Sequence, residues 1–287
     1  MIRKIRSTHS PVMAQDGAGV KLKRLFPVAG FDRLDPFLLL DHFGSDNPND
    51  YLAGFPLHPH RGIETVTYML SGQMAHRDST GRSGVIKTGD VQWMRAGRGI
   101  LHEELPQMKN GKLDGFQLWV NMPAKEKMTE AQYQEFTAKE ITTFEHQQHT
   151  IKLISGKLLG KTGSVQQLSS QTIYADIHLK KGELRLELPL SHNVFLYCFE
   201  GSANLLDELD KKQKLTSPNL AVLSKGDRLI LETDYSARIL LVAGKKLDEP
   251  VARSGPFVMN TEAEIAQTWR EVRNGTFPST AKQESNS

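Results

Sequence analysis

The chain has 287 residues, 38% of them hydrophobic and 24% charged, a length that suits two modules or one large all-β unit and a composition that excludes disorder for most of it. With 36 basic against 33 acidic side chains the formal charge is +3, too small a surplus for the electrostatic footprint of a nucleic-acid binder, so no direct nucleic-acid contact is expected. The single cysteine, Cys198, leaves no internal disulfide and no thiolate-rich zinc or iron–sulfur site within one chain, and it suits a reducing compartment.

The N-terminus, MIRKIRSTHSPVMAQDGAGV, is basic but lacks the apolar core of a signal peptide, and no run of about 18 apolar residues occurs anywhere. The expectation is a cytoplasmic monomer without membrane contact. From residue 20 onward, short apolar runs broken by Gly, Pro, Asn and Asp have the spacing of a sandwich or barrel. In chain order, Glu64 to Leu70, Gly84 to Met94 and Phe116 to Met122 read as strands, rich in β-branched and aromatic residues. The segment KMTEAQYQEF (Lys127 to Phe136) reads as a helix at a linker, followed by the polar run Gln147 to Thr150. Strands resume at Glu183 to Leu190, Asn193 to Glu200 and Arg238 to Gly244. Thr261 and Glu264 then form a capping-box pattern, Ile265, Trp269 and Val272 recur at helical spacing, and Gly275 ends a last helix. The polar tail from Pro278 to Ser287 is expected to fray.

An internal repeat points to two related β-modules. Thr65 to Ala75 resembles Asn193 to Ala203 when Gly72 is laid on Gly201, an offset of 129. The phrase KTGD ending at Asp90 resembles SKGD ending at Asp227, an offset of 137. The expected division is residues 1–128 for a metal-binding barrel, and 129–287 for the linker, a second barrel without metal, and the last helix.

Five of the ten histidines lie between His42 and His102. In LHPHRGIETV, His58 and His60 stand two apart, and in a strand alternate side chains share a face. In ILHEELP, His102 and Glu104 repeat that spacing. Three neutral imidazoles and one carboxylate form a mixed N/O site suited to Fe(II), Mn, Ni, Cu, Co or Zn. Glu64 has the parity of a fifth ligand, of an acceptor behind the ligands, or of an ordinary strand residue. Glu103 should face away, and His42 and His76, without paired spacing, read as structural. The two offsets carry His58 and His60 onto Glu187 and Pro189, and His102 and Glu104 onto Ile239 and Leu241. Only the first module is therefore expected to do chemistry.

The phrases HPHRGIETVTYMLSG, GDVQWMRAGRGILHEELP, LDPFLLLDHF and GPFVMNTEAEI together resemble the pirin family, over about Gly17 to Phe277. The general cupin pattern is kept only in part: HxH(X)3E is present, the leading spacing is not, and Arg95 replaces a proline. Pirins share these departures. The resemblance implies an all-β bicupin, two antiparallel β-barrels with a C-terminal helix, and one non-haem iron, most readily Fe(II), held in the N-terminal barrel by His58, His60, His102 and Glu104. It also implies quercetin 2,3-dioxygenase activity, with a flavonol and O2 as substrates, CO as a product, and Glu104 as the base that takes the 3-hydroxyl proton. Phe43, Phe55, Met94 and Trp93 are candidates for an apolar wall, with barrel core as the favoured alternative for each. Two other readings stand beside this one. One is a redox-sensing iron protein that acts through protein partners such as transcription factors, as eukaryotic pirins suggest. The other is a bicupin whose metal only stabilises one barrel. An open cavity at the metal favours the enzyme; a closed site beside a charged patch favours the regulator.

Overall fold

A computed structural model describes residues 1–107 and 111–278. It is the expected all-β bicupin, with one α-helix among the described residues, Glu262–Arg273. Much of the tail expected to fray lies outside the described residues. No helix among the described residues is long and apolar enough to cross a membrane.

The first barrel pairs a seven-stranded with a four-stranded sheet. Edge to edge, the larger runs Gln132–Phe136, Val91–Arg95, Ile63–Ser71, Leu113–Asn121, Phe37–Ser45, Val20–Phe26 and Val12–Asp16. The smaller runs Phe55–His60, Ile100–Pro106, Gln73–Asp78 and Ser83–Lys87. In the second barrel the long strands Ile173–Glu187, His192–Leu206 and Arg228–Lys245 bend through both layers, so eight strands form one sheet. Leu25, Val66, Trp93 and Phe116 of the first barrel meet Tyr174, Phe195, Tyr197 and Leu240 of the second in one apolar core. The barrels are thereby fused face to face.

The segment Lys127 to Phe136 is not the predicted helix. After the short turn Ala124–Glu126, residues Gln132–Phe136 form an antiparallel strand against Val91–Arg95. Tertiary pairing overrides the local helix propensity here, because the Val91–Arg95 edge would otherwise present unpaired amides. At the corresponding edge of the second sheet, Ile5–His9 from the chain's beginning pairs with Leu220–Leu223. The last helix is as predicted: the Thr261 hydroxyl accepts from the Glu264 amide while the Glu264 carboxylate accepts from the Thr261 amide, at 3.3 and 2.8 Å.

The repeat also needs correction. The Met69 amide donates to the Asp90 carbonyl and the Cys198 amide to the Asn219 carbonyl, both at 3.0 Å. The 129 offset therefore continues through this turn, and Asp90 corresponds to Asn219. The SKGD phrase occupies the next turn, before Arg228–Lys245. Counting four residues from Gly72 and Gly201 gives His76 and Leu205, which pair with Glu104 and Leu231. His102 pairs with His58, and Leu229 with Leu186. The counterparts of His58, His60, His102 and Glu104 are thus Leu186, Leu188, Leu229 and Leu231, all buried, instead of Glu187, Pro189, Ile239 and Leu241. Each buried leucine contributes roughly 1.5–3 kcal/mol relative to an exposed one. The second barrel fills with one continuous apolar cluster, whereas the first has separate apolar clusters and a cavity.

Candidate metal centre

Local sequence explains how the imidazoles converge. Phe55–His60 is an edge strand, so Pro56 and Pro59 cost no ladder hydrogen bond on its free side. Its register against Ile100–Pro106 sets His58 opposite His102. A bulge then slips the pairing so that Glu104 lies opposite Phe55. One ligand atom from each of His58, His60 and His102 can be chosen such that all lie within 4.8 Å of one another. The ring centroids are 4.4 to 5.0 Å apart.

The electrostatics suit an ion. Burial, and next the neighbouring His58, pulls His60 down to about 3, and burial with the surrounding histidines holds His102 well below its ordinary value. Both rings are therefore neutral at physiological pH, with lone pairs to offer. His58 Nδ1 lies 2.8 Å from the Pro56 carbonyl; since that oxygen can only accept, Nδ1 carries the proton and Nε2 is left free. His60 Nδ1 and both ring nitrogens of His102 are buried with no hydrogen-bond partner. Orphaned buried nitrogens are costly. One such nitrogen from each of His60 and His102, together with His58 Nε2, fits a divalent transition metal.

Glu104 is buried and faces the same way as His102. Its carboxylate is not part of the 4.8 Å set. It accepts instead from Thr67 Oγ1 at 3.3 Å and from Gln117 Nε2 at 3.3 and 3.5 Å. Burial raises its pKa, with His58 and Thr67 opposing. Glu64 is no ligand: it is fully buried, accepting from Arg95 Nε at 3.0 Å and from the Ser169 amide at 2.7 Å. Glu103 faces outward and pairs with Arg77. His42 bridges Tyr197 and Asp114, at 2.9 and 2.8 Å. His76 stacks on Tyr133 and faces the Glu135 carboxylate.

Above the imidazoles opens a cavity of about 580 Å³, within the range of small-molecule sites. Of the four candidate wall residues, Phe43 and Phe55 line it together with Leu22, Leu39, Met74 and Trp119. Trp93 and Met94 are buried in the cores instead. The sequence reading also missed Gln117, Trp119 and the C-terminal residues Arg253 and Pro256, all of which line the cavity. Only the GPFVMN phrase flagged that last stretch. It reaches the site because Gly62, at φ +75°, lets the Val258 carbonyl approach to 2.0 Å from where a Cβ would stand. Arg61 secures the same junction, donating to the Arg98 carbonyl and to Thr268 at 2.6 and 2.8 Å and pairing with Glu271 of the helix.

Comparison with known proteins agrees with this architecture. Residues 19–120 match the family described as Pirin, and residues 174–278 the family described as Pirin C-terminal cupin domain. The chain belongs to the pirin family. It is 42% identical over 281 residues to the "Putative quercetin 2,3-dioxygenase" of Pseudomonas aeruginosa, covering 96% of this chain and 98% of that one. It is 41% identical over 263 residues to Pirin of Homo sapiens, covering 90% and 88%. A crystal structure of quercetin 2,3-dioxygenase from Acinetobacter baumannii superposes with a TM-score of 0.87 at 34% identity, covering 96% and 99%. Membership thus spans both barrels of this pirin-family chain, while the histidine cluster lies in the first.

Proposed function

We propose that this protein is a metal-dependent dioxygenase of the quercetin 2,3-dioxygenase type, which opens the heterocyclic ring of a flavonol with O2 and releases CO. The observation that carries this reading is the cluster of three imidazoles with partnerless buried nitrogens, of which His58 and His60 line an open, largely apolar cavity together with the buried Glu104 carboxyl. His58, His60 and His102 would hold one divalent transition metal, with Glu104 as a fourth donor. Fe(II) is the ion that the family resemblance implies, and the donor set also suits Mn, Ni, Cu, Co or Zn. When bound, such an ion would supply Lewis acidity and electron exchange with O2.

The chain's own groups do the rest. Glu104 takes the 3-hydroxyl proton of the flavonol; burial has raised its pKa, which makes its carboxylate a stronger base. Thr67 and Gln117 orient that carboxylate. Leu39, Phe43, Phe55 and Met74 pack on the planar ring system and keep water from the opened product. The open cavity supports turnover over a purely regulatory metal.

The test is oxygen uptake by metal-reconstituted protein with quercetin, together with quantified CO. The expected outcome is one CO per O2 consumed, above the rate of quercetin autoxidation. Uptake no faster than in buffer containing the same metal would sink the reading.

A further inference from the structure

The two arginines that line the cavity are held differently. Arg24 donates to Asp41 from Nε and Nη2 at 2.9 and 2.7 Å, and to Asp16 from Nη2 at 2.8 Å. Both rim carboxylates are thus engaged by one guanidinium. Arg253 differs. It donates from Nη1 to the Leu38 carbonyl at 3.2 Å and from Nε to the Gly255 carbonyl at 3.3 Å. These contacts orient the guanidinium, on which Asp41 and Asp16 act only at longer range. Among the described residues no carboxylate lies within ion-pairing distance of Arg253, and its Nη2 makes no hydrogen bond. The guanidinium sits 5.2 Å from the Trp119 ring centroid, and that ring in turn makes a T-shaped contact with His60, with centroids 4.9 Å apart. An exposed cation with no directly paired carboxylate and with a spare donor therefore stands at the cavity wall, one aromatic ring away from the imidazole cluster.

We infer that the substrate of this cavity carries an anionic substituent, a carboxylate, sulfonate or sulfate ester on its conjugated ring system, which Arg253 binds while the ring packs against Trp119. This rests on the cavity being the substrate site and names the class of substrate. A guanidinium held in a fixed orientation, with one edge open, suits a planar or tetrahedral oxyanion by charge-assisted hydrogen bonds. A flavonol without such a substituent would leave that donor edge to solvent, so quercetin is a surrogate that uses only the metal end of the site.

The experiment measures binding of quercetin and of ring-sulfonated quercetin to the metal-loaded protein by tryptophan quenching, and oxygen uptake with each. Wild type, Arg253→Gln and Arg253→Lys are compared, with thermal melts to verify folding. The expected result is tighter binding of the sulfonated ligand by about tenfold in wild type, a preference that added salt weakens. It should survive in Arg253→Lys and fall to about twofold or less in Arg253→Gln, while quercetin itself binds all three alike. Equal affinity for the two ligands in wild type, or an unchanged preference in Arg253→Gln, would overturn the inference. Because binding is read apart from turnover, a charge preference that follows Arg253 supports the inference even if neither compound consumes oxygen, an outcome that counts only against the dioxygenase reading. Should Arg253→Gln melt early, the comparison of wild type with Arg253→Lys across salt concentrations still decides: a salt-insensitive ratio overturns it.

Discussion

Gln117 donates from one amide nitrogen to both carboxylate oxygens of Glu104, at 3.3 and 3.5 Å, while its own carbonyl oxygen accepts the Thr67 hydroxyl at 2.9 Å, the shorter branch of a proton shared with Glu104 at 3.3 Å. The three side chains form a closed polar set on the cavity floor, so Gln117 acts on the reaction through Glu104. Gln117→Leu should lower kcat by about tenfold through misplacement of the carboxylate, with metal content unchanged. Glu104→Gln, which removes the base itself, should cost about a hundredfold or more. Steady-state kinetics with metal analysis on each variant checks both. A Gln117→Leu enzyme with wild-type kcat would dissolve the positioning role.

The second barrel suggests a sharper test of the metal centre than alanine does. Where the first barrel pairs His58 with His102, the second pairs Leu186 with Leu229. His58→Leu combined with His102→Leu should abolish metal binding. In the presence of chelator it should also be more stable than metal-stripped wild type, by roughly 1–3 kcal/mol, because orphaned ring nitrogens give way to apolar contacts. Metal-loaded wild type should melt highest, since an ion that binds only the folded state stabilises it by mass action. Thermal melts with and without chelator rank the species. A double variant that still binds one ion, or that melts below stripped wild type, contradicts the assignment.

These comparisons show where the sequence was informative. His58, His60 and His102 were legible because strand parity is local: alternate residues share a face whatever the rest of the chain does. Gln117, Trp119 and Arg253 reach the cavity through sheet closure and a distant C-terminal segment, which no local pattern encodes. The Lys127 to Phe136 segment was misread for the converse reason: its helical pattern is local, while the edge of Val91–Arg95 that captures it is not. The faulty repeat offset arose because Gly-Asp turns look alike. KTGD and SKGD share turn chemistry, yet they sit at successive, non-equivalent turns.

Lys127 is buried at the junction below the site, its ammonium donating to the Gly62 carbonyl, Asn121 Oδ1 and the Val258 carbonyl at 2.7, 2.6 and 2.9 Å. Lys127→Met leaves three buried acceptors without a donor and should cost about 2–4 kcal/mol. Burial, opposed by Glu249 and Glu264, pulls the ammonium down to about 8 from an ordinary 10.5. A cation lowered in the fold loses its proton there first, so between those values the unfolded chain binds more protons. This group's contribution to stability is therefore flat below pH 8 and rises as pH climbs toward 10.5. Denaturant unfolding across that window should show the wild-type minus Lys127→Met difference growing with pH; a difference that shrinks would reverse the argument.

The barrels are also joined by a polar contact inside their shared core. Tyr68 of the first donates its hydroxyl to Asp176 of the second at 2.8 Å, and Arg238 donates to the same carboxylate oxygen at 2.6 Å. Tyr68→Phe removes one neutral donor but leaves Asp176 paired with Arg238, a loss of about 1 kcal/mol. Asp176→Ala strands the Tyr68 hydroxyl and deprives Arg238 of its closest counter-ion. Arg238 keeps Glu200 at 3.2 Å and the Phe199 ring at 4.8 Å, so the cost should be about 3 kcal/mol, at the low end for a broken buried pair. The double variant should cost little more than Asp176→Ala alone, because the tyrosine has no acceptor left to lose. Unfolding free energies of the two single variants and the double variant test this, and full additivity would show that the hydroxyl contributes independently of the carboxylate.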